Sequence, residues 1–471
     1  KTMVGGVFGV LVLAGVWLTL TGAQAPKHVT IFSNGQSEGG HEMILDAAFF
    51  AQPDYLANLS SYVRVAKNYH KDGVVADRVF TGQGKLVQGF SDVEDGDRLY
   101  LVPPEIHFVW PFVKKGHTVV LHDVKTPGSS EPLSLEAVSE SPRVFHVRNF
   151  FNDEEADNLI AEALAIQDPV RKLARSSVGP KMGARTFSDV RTSENAFVQE
   201  SESAMKLKKR MFELLRLGRY DEDMADGLQL LRYKQKQAYI SHNDWFGFDA
   251  DPAHNWDPAD GGSNRFATVF LYLSDVEAGG QTVFPYAGAA DHPEEVPAEA
   301  QGLFEPGSWE DKLVQDCYSK LNFKPKKLHA ALFYNQRPDG SMDELALHGG
   351  CPVIAGTKWG ANLWVWNTVR YGLPNSIPAK AKANQEQERD PATGLVKLRV
   401  VFRNQCASTV SLFYGDTELE KIGPGEDKNY HTYHGHQWVV KKNDVQIWSY
   451  NVGEDTFNDQ VLVVCAGHEE L

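Results

Sequence analysis

Alternating and apolar runs divide this chain into folding units. In the middle, Leu228 to Lys234, followed by Tyr239-Ile240-Ser241 running into His242-Asn243-Asp244-Trp245-Phe246, reads as a strand, a turn and a second strand that opens into a loop. Trp359 to Trp366 reads as a strand carrying Lys358, with Val353 to Thr357 as the reversal from the strand that follows His348. Such a hairpin aims both side chains into one barrel. Nearer the start, Val29 to Phe32, Arg78 to Phe80 and Arg98 to Val102 read as short strands, and Ala57 to Tyr69 as an amphipathic helix. With turns at Gly82-Gln83-Gly84-Lys85 and Asp95-Gly96-Asp97, this order suggests a small β-grasp-like α/β unit over 27–105. Toward the end, Leu398 to Asn404, Thr409 to Tyr414, His436 to Val440, Gln446 to Tyr450 and Gln460 to Val464 are broken by Gly, Pro, Asn and Asp. That spacing is expected of a β-sandwich over 397–466. The stretch 374–396, rich in Pro, Ala, Asn, Gln, Lys and Glu, reads as a linker.

The first segment is of another kind. Lys1 precedes an uncharged run from Met3 to Gln24, strongly apolar from Val4 to Leu20, and Ala23-Gln24-Ala25 has the small-x-small form of a cleavage site. Residues 1–25 read either as a signal peptide or, since about 20 apolar residues span a bilayer, as a signal anchor tethering the chain to a membrane. Pro26 disfavours cleavage. Both outcomes place residues 27 onward in the secretory pathway, in the lumen of the endoplasmic reticulum. The 471 residues leave room for about three domains, and 42% hydrophobic content suffices for packed cores. A net charge of −15 repels phosphate backbones, so no nucleic-acid partner is expected, whereas a basic or proline-rich polypeptide is easier to attract. Asn58-Leu59-Ser60 is a glycosylation sequon. Cys317, Cys351, Cys406 and Cys465 allow three pairings in an oxidising lumen. Cys406 with Cys465 is favoured because both border the last module, free buried thiols being the alternative.

Candidate chemistry lies on the central unit. Alternate side chains of an extended segment leave the same face, so His242 and Asp244 converge on one ion without backbone distortion. With His348 they form a set of two imidazoles and a carboxylate, which suits Fe(II) and leaves open positions for a co-substrate and dioxygen. Lys358, ten residues beyond His348, is placed to hold the far carboxylate of a 2-oxoacid. In a chain with 16 His and 62 acidic residues, a lone His-x-Asp pair is more often a polar strand edge, so its flanks decide.

Those flanks are Arg265 to Val276 followed by Gly279-Gly280-Gln281-Thr282-Val283-Phe284-Pro285, and Pro325 to Phe333 with Pro338-Asp339-Gly340 after it. Then come Leu347-His348-Gly349-Gly350-Cys351-Pro352-Val353 and Gly356-Thr357-Lys358-Trp359. Upstream stand Pro142-Arg143-Val144-Phe145, Asn149-Phe150-Phe151, an acidic helix start at Asp153-Glu154-Glu155, and a strand at Arg191-Thr192-Ser193. Together, over residues 142–372, they resemble the catalytic domain of the prolyl 4-hydroxylases, members of the Fe(II)/2-oxoglutarate dioxygenases. The resemblance implies an α+β fold with a double-stranded β-helix (jelly-roll) core and flanking helices. It implies Fe(2+) on His242, Asp244 and His348, and 2-oxoglutarate chelated to the iron and paired through its 5-carboxylate with Lys358. Tyr233 would donate to the same molecule and Thr282 would stand beside it. Ascorbate, dioxygen and a proline-containing polypeptide complete the implied reaction, which releases succinate and carbon dioxide. Tyr233 has an alternative as a core tyrosine, and Arg191 is either a substrate contact or a structural arginine. Trp245 stands where many members have tyrosine, next to an acidic, Trp-containing loop from Asp249 to Asn264, so the peptide preference stays open.

The last unit carries Val401-Phe402-Arg403-Asn404, Gly423-Pro424-Gly425 and His431-Thr432-Tyr433-His434-Gly435-His436-Gln437-Trp438. These resemble the β-domain of the von Hippel-Lindau protein, which implies a hydroxyproline pocket from Thr432, His436 and Trp438, with Tyr414 as a further aromatic wall. A sandwich using those side chains only for its own core is the alternative. The first unit faintly resembles doublecortin-type domains. The expected activity is hydroxylation of peptidyl proline to 4-hydroxyproline, with a C-terminal module that retains the product. The alternatives are hydroxylation of another residue type, or an inactive binding protein that uses the sandwich.

Overall fold

The computed structural model of the protein describes residues 24–68, 72–168, 171–176, 189–198, 201–248, 250–290, 293–379, 393, 395, 397–406, 408–452 and 460–464. Nearly all of the expected leader and most of the expected linker lie outside them. The chain divides into two compact units, one through Ala379 and one from Lys380 onward. No described helix is long and apolar enough to cross a membrane.

In the first unit a nine-stranded sheet, counted among the described residues, is the scaffold. Its order is Thr118–Leu121, Leu133–Ser139, Val144–Arg148, His329–Tyr334, Arg265–Tyr272, Lys358–Trp366, Leu228–Tyr233, Glu194–Val198 and Ala174–Arg175. The sheet thus begins before residue 142, where the sequence placed the catalytic domain. A four-stranded sheet of Tyr239–His242, His348–Gly350, Thr282–Ala289 and Lys320–Phe323 completes the jelly roll.

The central strands are apolar on both faces because both faces are covered. In Arg265–Tyr272, Ala267, Val269 and Leu271 join the cluster that includes Leu159, Leu207 and Met211 of helices Asp153–Ala165 and Glu202–Leu214. Phe270 and Tyr272, of opposite parity, join Leu231, Tyr233, Phe333 and Phe284 between the sheets. The Asp153–Ala165 helix starts on a capping box in which Asn152 and Glu155 satisfy each other's backbone N–H. Glu155 also takes a two-pronged ion pair from the buried Arg210 of the second helix.

Before this core lies a mixed four-stranded sheet in the order His41–Leu45, Lys27–Ser33, Asp97–Val102 and Arg78–Thr81, whose two middle strands run parallel. The helix expected over Ala57–Tyr69 is corrected to Tyr55–Ser60. Beyond it Tyr62 and Arg64 are exposed while Val63 and Val65 are buried, an alternation of period two that belongs to extended chain. Ser60 assists the stop, its hydroxyl bonding Leu56 O at 2.7 Å and accepting Ala76 N at 2.9 Å.

The second unit packs two sheets. One is Asp427–Tyr433, Lys397–Asn404 and Gln460–Val464; the other is Thr417–Ile422, Val410–Tyr414, Gln437–Lys442 and Val445–Asn451. Val400, Phe402, Leu412, Ile422, Trp438 and Val440 are in its core. Cys317 and Cys351 form a disulfide. Cys406 is also disulfide-bonded, and Cys465, the partner expected from the sequence, lies outside the described residues.

Candidate active site

Two neighbouring strands and the opening that follows one of them deliver the metal-binding set. His242 ends one strand of the small sheet and His348 begins its neighbour, and the two are direct partners in the antiparallel register. Asp244 follows two residues after His242, where the strand opens. Single ligand atoms of His242, Asp244 and His348 all lie within 4.8 Å of one another. Asp244 Oδ1 is 3.8 Å from His242 Nε2, and its Oδ2 is 3.6 Å from His348 Nε2.

Local bonds prepare each group for an ion. His242 Nδ1 is 2.8 Å from Ile240 O, and His348 Nδ1 is 3.0 Å from Ala346 O. A carbonyl only accepts, so each Nδ1 carries the proton and each Nε2 presents its lone pair to the cluster. Burial, followed by the neighbouring His348 imidazole, holds His242 well below its ordinary pKa, in the neutral form that binds metal. Burial pushes the Asp244 carboxyl up, but His348, His242 and Arg265 outweigh it and keep the group ionised. Two soft nitrogens and one anionic oxygen on one side of a cavity fit Fe(II), as expected from the sequence.

Residues that sequence reasoning missed surround Asp244. Thr268 Oγ1 donates to its Oδ2 at 2.8 Å and Trp364 Nε1 at 2.9 Å, while Asn335 Nδ2 donates to Thr268 Oγ1 at 3.1 Å. Arg265 donates to the Asp244 carbonyl at 3.0 Å, is paired with Asp226, and lies 3.7 Å from the centre of the Trp364 ring. The available signal was parity: Thr268 shares a face with Phe270 and Tyr272, and Trp364 shares one with Lys358. Thr268→Val should lower Fe(II) affinity by about 10–100-fold, the usual cost of losing a partner behind a metal ligand. An anaerobic Fe(II) titration checks this; unchanged affinity would mean that Trp364 alone orients the carboxylate.

The cluster opens into a cavity of about 490 Å³ lined by every catalytic-domain residue singled out in the sequence: Arg191, Tyr233, Trp245, Thr282 and Lys358 as well as the metal set. Lys358 is 1% exposed. Its Nζ lies 4.9 Å from the centre of the Phe270 ring, 5.4 Å from Tyr233 and 5.5 Å from Tyr272. Burial is the cause that pushes this ammonium down to about 7. Tyr233 is its cross-strand partner, and burial pushes that phenol up, leaving it a donor at neutral pH. Thr282 Oγ1 accepts Tyr272 Oη at 2.8 Å. Gly279 secures the turn before it: at φ +77°, a Cβ there would lie 2.3 Å from Pro352 O, so no other residue fits.

Arg191 belongs to no regular strand, since the strand expected at 191–193 begins at Glu194. It makes one isolated bridge to Tyr239 and lies 4.5 Å from the centre of that ring, which itself stacks on His242 at 3.7 Å. Trp245 donates its indole N–H to Asp343 O at 3.2 Å. The acidic loop after it is held by Trp256, which is core rather than cavity wall: it packs with Phe246, His254, Trp366 and Tyr371.

In the second unit Tyr414, Thr432, His436 and Trp438 do come together, with Tyr414 centred 5.0 Å from His436 and 5.4 Å from Trp438. Trp438 is not a free pocket wall, however: it is 3% exposed, packs on Phe402, and donates to Thr432 Oγ1 at 3.1 Å. That hydroxyl is also 3.0 Å from His436 Nδ1, so it already has internal partners.

Residues 228–366 match the 2OG-Fe(II) oxygenase superfamily. Probable prolyl 4-hydroxylase 8 of Arabidopsis thaliana is 35% identical over 232 residues, covering 49% of this chain and 70% of that protein. Prolyl 4-hydroxylase 2 of the same plant is 35% identical over 250 residues, covering 51% and 73%. Among solved structures, the viral collagen prolyl hydroxylase of Paramecium Bursaria Chlorella virus-1, in complex with 2OG, is 24% identical. It covers 47% of this chain and 95% of that one, with a TM-score of 0.31. Identity of this order across 70% of a relative's length makes the chain a member of the prolyl 4-hydroxylases, which hydroxylate proline with Fe(II) and 2-oxoglutarate.

Proposed function

We propose that the 490 Å³ cavity is where a proline of a polypeptide substrate meets the iron. In this reading His242, Asp244 and His348 hold the metal, Lys358 receives the far carboxylate of 2-oxoglutarate, Tyr233 donates to the same molecule, and Thr282 stands beside it. The observation that carries the assignment is the convergence of the three ligand atoms within 4.8 Å, with a buried lysine in the same cavity. Iron with 2-oxoglutarate and dioxygen supplies oxidative decarboxylation, yielding succinate, carbon dioxide and one oxygen atom for the substrate. The chain's residues supply the rest. Lys358 fixes how deep the dicarboxylate sits, because its ammonium has no water to fall back on. Thr268 and Trp364 stop Asp244 from rotating, and Arg191 stacked on Tyr239 braces the His242 ring. Trp245, anchored to Asp343, forms a wall against which the prolyl ring packs.

The sandwich is proposed to retain the hydroxylated product. Tyr414, 39% exposed, and His436 are the side chains that face the ligand, with Thr432 and Trp438 bonded behind them. The four-stranded N-terminal sheet is read as a β-grasp-like support for the catalytic core. A luminal location is read from the leader and is supported by the buried Cys317–Cys351 disulfide, and ascorbate as the agent maintaining the iron is what membership of the family implies.

Incubating the full chain with Fe(II), 2-oxoglutarate and a panel of proline peptides tests this. The expected result is peptide-dependent succinate release with one oxygen gained on a proline ring, and retention of hydroxylated peptide in preference to the plain one. Oxygen on another residue type would move the reading to a different hydroxylase, and absence of succinate would favour a binding protein.

A further inference from the structure

The N-terminal sheet unit touches the catalytic core at a particular place, the tip of the hairpin 335–343. This hairpin is closed by the bonds Arg337 N to Ser341 O (2.7 Å), Gly340 N to Arg337 O (2.9 Å) and Asp343 N to Asn335 O (2.8 Å). At its tip, the amide of Asn34, 1% exposed, donates to Pro338 O at 2.8 Å and to His107 O at 2.9 Å, and accepts Val109 N at 3.1 Å. Asn68 donates its backbone N–H to Asp339 O and its side-chain amide to Ala259 O at 3.3 Å. The fit is close: a Cβ on Gly340 would lie 2.3 Å from Ile106 Cδ1, and one on Gly35 would lie 2.8 Å from Pro338 Cγ.

The base of the same hairpin reaches the iron site. Asn335 supports Thr268 behind Asp244. Asp343 O accepts both the Trp245 indole and, at 3.3 Å, the N–H of Ala346, whose own carbonyl pins His348 Nδ1. We propose that Asn34 is a positioning residue for the hydroxylation, acting through the 335–343 hairpin on Trp245 and His348. The N-terminal unit is then part of the catalytic apparatus, because the hairpin is a stiff lever bonded at both ends. The inference rests on the cavity being the peptide site. It separates peptide handling from co-substrate handling, since Lys358 and Tyr233 stand on strands outside the hairpin.

The decisive variant of the full chain is Asn34→Asp. It keeps the acceptor for Val109 N and the volume, but turns an oxygen toward Pro338 O and His107 O. Displacement of the tip should lower kcat/KM for the peptide by about tenfold, within the sensitivity expected of misplaced reacting groups. KM for 2-oxoglutarate should stay within about twofold, while the thermal midpoint should fall, since a buried carboxyl cannot satisfy both carbonyls. Trp245→Phe removes the other bond to Asp343 O, so the double variant should lose no more than the worse single one. Multiplying losses, or a folded Asn34→Asp protein with unaltered peptide kinetics, would overturn the proposal. Should Asn34→Asp fail to fold, Gly340→Ala decides: its Cβ would meet Ile106 Cδ1 at 2.3 Å, so the tip must shift, and kcat/KM for the peptide should fall by about tenfold while KM for 2-oxoglutarate holds, an unaltered peptide value counting against the lever. If the unaltered protein itself turns over no proline peptide, it is the substrate reading that fails.

Discussion

Asp244→Ala should give a protein that neither retains Fe(II) nor releases succinate. Loss of a partner behind a ligand already costs about 10–100-fold in affinity, and here the only anionic ligand of the set is removed. Turnover should therefore fall below detection. A second consequence separates geometry from charge. Trp364 Nε1 and Thr268 Oγ1 both donate to Asp244 Oδ2 in a dry environment. Alanine strands both donors, at about 1–3 kcal/mol each, so the thermal midpoint should fall as well. Asp244→Asn keeps an oxygen in place for these donors and removes only the charge; it should lose the metal while keeping most of the stability. Anaerobic Fe(II) titration, succinate release and thermal unfolding of the two variants read this out. Iron-stimulated succinate release from either one at the unaltered rate would place the reaction elsewhere.

The convergence of His242, Asp244 and His348 is legible in the sequence because its parts carry information that does not depend on tertiary contact. His-x-Asp works through strand parity, and His348 and Lys358 stand in glycine-rich flanks that few other contexts require. What lay behind the ligands was not legible. Thr268 sits in the run Arg265–Tyr272, where one hydroxyl in an apolar strand looks like a tolerated substitution. Its meaning comes from Asp244 and Asn335, brought beside it only when the sheets close. Similarly, Val353 to Thr357 reads as one reversal, yet Val353–Ala355 is a short strand paired with Ala278–Gly279, leaving Gly356 at φ +87° to make the turn. Periodicity could not show this, because three residues are too few to establish a period. The region 57–69 fails differently. Its apolar positions suit helix and extended chain about equally, and the deciding bond, Ser60 Oγ to Ala76 N, spans a turn that no local pattern announces. In the sandwich, the von Hippel-Lindau resemblance implies Trp438 as a pocket wall, but its position in Gln437–Lys442 points inward with Val440.

Lys358→Ala should raise KM for 2-oxoglutarate by about 10–100-fold, the equivalent of one charge-assisted hydrogen bond of about 1.5–3 kcal/mol. The unaltered protein should also show a pH dependence with a definite sign. In the empty cavity burial pushes the Lys358 ammonium down to about 7 from an ordinary 10.5. Below about 7 the site is already cationic and binds the dicarboxylate directly. Above it the lysine is neutral, so binding must take up a proton, and KM for 2-oxoglutarate should climb toward about tenfold per pH unit. Stability of the empty protein moves in the opposite direction. Between about 7 and 10.5 the unfolded chain binds the proton and the folded chain does not, so resistance to unfolding should increase with pH across that window. Saturating 2-oxoglutarate should abolish this rise by holding the lysine charged. Lys358→Arg, whose guanidinium remains protonated throughout, should bind the co-substrate less well but with a KM that is flat in pH. A flat profile in the unaltered protein together with an unchanged KM in Lys358→Ala would mean that the distal carboxylate is held by something other than this lysine. The depth of the co-substrate, and with it the reach of the iron toward the prolyl ring, would then need a different anchor.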